Sequence, residues 1–291
     1  MKRILLSIIG ISALLIAAPL STASAADMPL KAPPPPPAPV YSWTGFYVGA
    51  NGGYGWDHRT VSYSPNDPPA NFLLTTGLPP PGPTSFNSNG GLGGLQAGYN
   101  WQLNPKWLLG LEADFDWSGI KGNGISIFQQ IPAGVVGGPS NIQANQDINW
   151  FGTMRARLGF LPANNTLIYA TAGLAYGHTS EQLTLNGAGF ANGPQFGWQC
   201  SSGPVPPPLP VTKCFVGSSS RTETGWTIGG GLEYAPWNNN LTLKVEYLYI
   251  NLGGDTTNLV ALSSSPALPS SITASSRTDF SVLRGGINWK L

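Results

Sequence analysis

The residues able to do chemistry in this 291-residue chain are few. Two histidines, His58 and His178, offer imidazoles that could ligate heme iron. His178-Thr179-Ser180-Glu181 sets a base two residues from a hydroxyl, which alternation would place on one side of a strand. Cys200 and Cys214 are the two cysteines, and a disulfide between them would staple a loop in an oxidising compartment. Spacings for a Walker loop, a CxxC pair, an HExxH helix or a dinucleotide fingerprint do not occur. The remaining ionisable residues fall into a pattern. Glu112, Asp114 and Asp116 recur at every second position, as do Arg155 and Arg157, then Lys244 and Glu246. Glu233 and Arg284 stand among apolar residues with the same period, as does Lys290. Period two in a strand puts all of them on one face.

The elements that must position these charges follow from composition. Charged residues make up 9% of the chain, with 14 Lys+Arg against 13 Asp+Glu, where soluble domains carry about 25%. Near neutrality without a basic cluster excludes a nucleic-acid partner. Ten Trp, ten Tyr and eleven Phe exclude a chain that buries nothing. Met1-Lys2-Arg3, the apolar Ile4 to Ala18 and the small residues Ala23-Ser24-Ala25 make 1–25 a signal peptide cleaved after Ala25. Residues 26–43 form a periplasmic spacer around the proline-rich Pro29 to Val40, and 44–291 the folded domain.

Eight segments of that domain alternate apolar with small or polar residues: 44–58, 91–103, 107–118, 148–161, 166–178, 222–235, 241–253 and 277–291. The third is the clearest. Trp107, Leu109, Leu111, Ala113, Phe115 and Trp117 line one face, against Glu112, Asp114, Asp116 and Ser118 on the other. In the eighth, Phe280 and Val282 break the alternation, predicting a bulge or an apolar inner contact. None of the 28 prolines falls inside the eight segments, as internal strands require. Breaks at 104–106, 162–165 and 236–240 are short, whereas those at 59–90, 119–147, 179–221 and 254–276 are long. That arrangement predicts an all-β fold: an eight-stranded antiparallel transmembrane up-and-down β-barrel with short periplasmic turns and long extracellular loops. The apolar, aromatic face meets lipid and the charged face is enclosed, so Glu112, Asp114, Asp116, Arg155, Arg157, Glu233, Lys244, Glu246 and Arg284 should form a lumen ion-pair network.

Tyr41-Ser42-Trp43-Thr44-Gly45-Phe46-Tyr47-Val48-Gly49, then Gly52-Gly53-Tyr54-Gly55-Trp56, resembles the opening of the small major outer-membrane immunogenic and hemin-binding proteins of alphaproteobacteria. The close, Arg277 to Leu291, resembles that family's last strand. The resemblance implies an OmpA-like eight-stranded barrel in the outer membrane of a Gram-negative bacterium, with the barrel-assembly machinery and outer-membrane lipids as partners. It further implies that some relatives bind hemin, with His58 and His178 the candidate ligands here. Terminal Leu291 departs from the family's usual aromatic, which puts assembly efficiency in question. The His178/Ser180 pair vaguely resembles outer-membrane lipid deacylases, and nothing else of that family is present. The expectation is therefore a non-enzymatic structural or surface-interaction protein with at most a narrow pore and no cofactor. Its alternatives are a loop-borne site for hemin or a host ligand and, third, a lipid-modifying enzyme.

Overall fold

The computed structural model describes residues 41–68, 70–71, 82–129, 139–188, 211–236, 240–262 and 270–291. The signal segment and most of the proline spacer lie outside them. Eight strands follow in order: β1 (Gly45–Pro65), β2 (Thr84–Gln102), β3 (Trp107–Gln129), β4 (Pro139–Ala163), β5 (Thr166–Ala188), β6 (Val211–Tyr234), β7 (Leu241–Ala261) and β8 (Ser271–Lys290). Each pairs antiparallel with its chain neighbours, and β8 closes on β1. A row of ladder partners beginning at Phe46 passes through Tyr99, Leu111, Ala156, Ala172, Ile228, Tyr249 and Ser281, and returns to β1 at Trp56. That stagger tilts the strands by about 40°.

The lipid face is built from the outward alternate residues. Leu174, Phe46, Met154 and Leu95 are among the most exposed large side chains of the molecule. An aromatic girdle rims each end of this band. Near the short turns Trp107 meets Phe160 at 5.4 Å; near the long connections Phe115 stacks on Trp150 at 5.4 Å and Trp226 meets Tyr249 at 5.5 Å. The short turns are tight. Asn104 Oδ1 accepts from the backbone of Lys106 and Trp107, and Asn164-Asn165 alone joins β4 to β5, whose ladder begins at Ala163–Thr166.

Strand length departs from expectation. Residues 59–65, 84–90, 119–129, 139–147, 179–188, 211–221, 254–261 and 271–276, read above as loop, continue the strands. A strand of 23 residues such as β3 rises about 60 Å at 3.4 Å per residue and this tilt, more than twice the ~25 Å apolar band. The barrel therefore projects well beyond the membrane. Above the outer girdle the alternation persists with its sides exchanged. Thr60, Ser62 and Ser64 face out, while Val61, Phe86, Ile142, Leu183, Leu185, Phe215, Leu259 and Ile272 are buried inside. Water replaces lipid outside at this height, so the apolar side must turn inward. Pro65 and Pro139 sit in strand-end pairs, where a missing donor costs little.

Two further points differ from the sequence reading. Tyr41 and Trp43, placed in the spacer, close the short-turn end of the barrel. They are buried with Leu108, Leu161, Leu167, Tyr169 and Ala235, and Trp43 Nε1 donates to Asn164 O at 3.0 Å. Cys214, placed in a loop, is a buried residue of β6 and is disulfide-bonded; Cys200 lies outside the described residues. Phe280 and Val282 make an apolar inner contact, packing against Ile120, Ile148, Phe151, Ala175, Leu248, Ile250 and Leu252.

Candidate functional site

Inward residues of five strands converge at mid-membrane height. Arg155 and Arg157 (β4) stand beside Glu112 and Asp114 (β3), because the ladder pairs Glu112 with Arg155 directly. Arg155 bonds Glu112 Oε1 and Asp114 Oδ2 through Nη2 (2.8 Å to the latter), and Glu246 Oε1 through Nη1 at 2.8 Å. Arg157 reaches Glu233 Oε2 at 2.7 Å and Glu112 Oε2 at 3.3 Å. Its guanidinium lies 4.0 Å from the Tyr169 ring centroid. Arg284 holds Asp114, Asp116 and Glu246 at 2.6, 2.6 and 2.8 Å. Lys244 Nζ sits 3.0 Å from Glu112 and 3.6 Å from Glu246. All nine are buried, so four cations face five carboxylates across the lumen, leaving one formal negative charge. Such an arrangement repays its desolvation only when nearly every donor is matched.

The matching needs residues that sequence reasoning did not assign to the network. Tyr47 donates to Glu112 and accepts from Arg157, each at 2.7 Å. Tyr169 donates to Glu246 at 3.1 Å, Thr153 to Asp114 at 2.8 Å, Asn288 to Glu233 at 2.8 Å, and Thr242 to Glu233. Their signal was parity. Each alternates inward on its own strand, yet none carries the charge that marked the others. Lys290 stays at the short-turn rim over the Tyr41 ring, outside the network.

Along the axis the lumen is layered. The apolar cap of Tyr41 and Trp43 lies below the ion pairs, and the Phe151–Phe280 cluster, rings 5.2 Å apart, lies above them. A second polar layer follows, where Arg59 bonds Glu181 at 3.3 Å and Thr278 at 3.0 Å, and Thr257 donates to Glu181 at 2.7 Å. The apolar cluster around Phe86, Phe128 and Phe215 stands over it. Arg59 and Glu181 were missed because their positions were read as loop.

The other candidates are not brought together. His58 and His178 lie on β1 and β5, half-way round an eight-strand ring, and both follow the outward parity. His58 Nδ1 bonds Asn87 at 2.7 Å; His178 stacks on Trp150 at 5.9 Å. Ser180 bonds Asn149 at 3.1 Å, while His178 Nε2 takes Ser220 instead, at 3.1 Å. The other ring nitrogen of His178 meets Thr222 at 3.4 Å, where an orienting carboxylate would be needed. Among the described residues no group of three or more His, Cys, Asp or Glu is arranged to hold a metal ion.

The family model of the outer membrane protein beta-barrel domain matches residues 13–265. The chain belongs to that family. Among outer membrane beta-barrel domain proteins, the 31 kDa outer-membrane immunogenic protein of Brucella melitensis biotype 1 is 34% identical over 273 residues, covering 93% of this chain and 94% of that one. The 25 kDa outer-membrane immunogenic protein of Brucella abortus biovar 1 is 28% identical over 296 residues, covering 99% of each. Among solved structures, the outer membrane protein OprG from Pseudomonas aeruginosa aligns with 85% of this chain and 97% of its own, at 12% identity and a TM-score of 0.37. The barrel is an outer-membrane protein of a Gram-negative bacterium, and its fold rests on the closed ladder.

Proposed function

We propose that this outer-membrane barrel is a closed structural protein that displays its extracellular half as an interaction surface and has at most a narrow pore. The observation that carries this reading is the buried ion-pair network of Arg155, Arg157, Lys244 and Arg284 with five carboxylates. Charged side chains that meet across an eight-strand lumen displace the water a conducting path needs. Apolar layers above and below the network add further barriers. The strands above the membrane then act as a stalk, carrying the connections that begin after Pro65, Gln129, Ala188 and Ala261. A surface ligand, hemin included, would meet the protein there, since among the described residues neither histidine belongs to a group able to hold a metal ion. The test is conductance: purified wild-type protein in a planar bilayer should show only small or rare openings. A steady conductance like that of a general porin would overturn the closed-lumen reading.

A further inference from the structure

The lipid-facing wall is not smooth. On the face formed by β1 to β4 an open cavity of about 610 Å³ is set into it. Small residues of β2, β3 and β4 make its floor: Ala97 pairs with Ala113, and Ala156 lies on the next strand. Phe46, Tyr99 and Trp101 form a joined aromatic rim, with 4.5 Å between Phe46 and Tyr99 and again between Tyr99 and Trp101. Met154 bounds the hollow on β4. On β3 the two girdles are marked by Trp107 and by Trp117, which meets Phe115 at 5.2 Å. Ala113 is therefore near mid-membrane, and the hollow runs from there toward Trp101 and the short turns, within the periplasmic leaflet.

An apolar hollow at this depth is filled by hydrocarbon, since water in it would find no polar partners. Below it, Lys106 occupies the β2–β3 turn, its backbone N–H held by Asn104 Oδ1 at 2.9 Å and its side chain exposed. It directly precedes the girdle residue Trp107, so its ammonium stands at the level of the lipid headgroups. At the short-turn ends of the same four strands, residues 41–46, 101–107 and 160–165, Lys106 is the one charged side chain. A hollow for a chain above a lone cation is complementary to an anionic lipid. A second barrel on the same face would set hollow against hollow and bring like charges together at Lys106.

We propose that the β1–β4 face binds one anionic phospholipid of the periplasmic leaflet, with an acyl chain in the hollow and the phosphate on Lys106. The chain is held by van der Waals fit against the alanine floor and aromatic rim, and the headgroup by charge. The test incubates the full barrel in nonionic detergent with phosphatidylglycerol or phosphatidylcholine of identical acyl chains. Native mass spectrometry reads the lipid retained. One phosphatidylglycerol per barrel should be held, about fivefold more tightly than phosphatidylcholine, the preference one lysine confers near an anionic group. Lys106→Gln should abolish that preference and leave chain binding. Ala113→Phe and, independently, Ala97→Phe fill the hollow from the exposed side and should lose the complex with either lipid. Ala170→Phe, exposed on the lipid face of β5 and outside the hollow, should change neither. The proposal is overturned by equal retention of the two lipids in wild type, or by complexes that survive both hollow-filling variants. A two-barrel species lost in Ala113→Phe would also overturn it, giving this face to a second copy.

Discussion

At the scale of single residues, Arg157 has the most exacting position. It is fully buried, makes charge-assisted bonds to Glu233 and Glu112, donates to the Tyr47 hydroxyl, and stacks on Tyr169. Arg157→Ala leaves Glu233 as a buried carboxylate without a cation, a change that costs about 3–5 kcal/mol. Arg157→Lys should recover only part of this, because an ammonium cannot make two planar contacts and lie flat on a ring. Urea titrations followed by tryptophan fluorescence in micelles check both. Equal stability of wild type and Arg157→Ala would mean that the lumen is wet enough to solvate the carboxylates. Cys214 belongs to this scale too. Closing a loop of about 15 residues is worth roughly 3 kcal/mol of chain entropy, but Cys214 lies in the uppermost apolar cluster. Reduction should therefore loosen the extracellular end and leave the membrane ladder folded, with the heat-dependent gel shift of the barrel unchanged.

Among the elements, each strand has two solvents. Below the outer girdle the outward side chains are Leu, Met, Ala and aromatics; above it they are mostly Ser, Thr, Asn and Gln, with Ile125, Ile127 and Val260 the apolar exceptions, and most apolar residues go inside. Position along a strand, rather than residue type, thus decides what an outward substitution does. Met154→Arg, on β4 between the girdles, should destabilise folding into phospholipid vesicles by about 2–4 kcal/mol. Ser62→Arg, outward on β1 above the girdle, should change it by no more than about 0.5 kcal/mol. Comparable costs at the two sites would place the membrane boundary elsewhere. This sidedness also explains which strand parts were legible. The apolar-out, charge-in rule found the membrane segments of all eight strands, and failed where the environment reverses. Arg59 and Glu181 went unseen for that reason, although they continue the inward parity of Asp57 and Thr179.

For the whole molecule, the layers act in series. Removing charge from one layer does not open a path while an apolar layer stands above it. Arg155→Ala with Arg157→Ala should lower stability yet leave bilayer conductance near the wild-type level, since Phe151 and Phe280 still meet across the lumen. A large conductance from the arginine double variant alone would show that the ion pairs are the sole barrier.

Alternation with period two, the 9% charged composition, the basic and then apolar opening and the turn spacing determined the compartment, the strand number and the inward set of charges. These are local or additive properties, which a chain carries before it folds. The register round the ring was decided only by tertiary structure. It sets Glu112 against Arg155, brings Arg284 from the last strand to Asp114 and Asp116 on the third, and sends His58 and His178 to opposite walls. Closure also fixed which side of each strand is dry at each height, and with it the true strand lengths and the layered lumen. Periodicity records which residues share a face. What that face meets depends on neighbours tens to hundreds of residues away and on the solvent outside the wall.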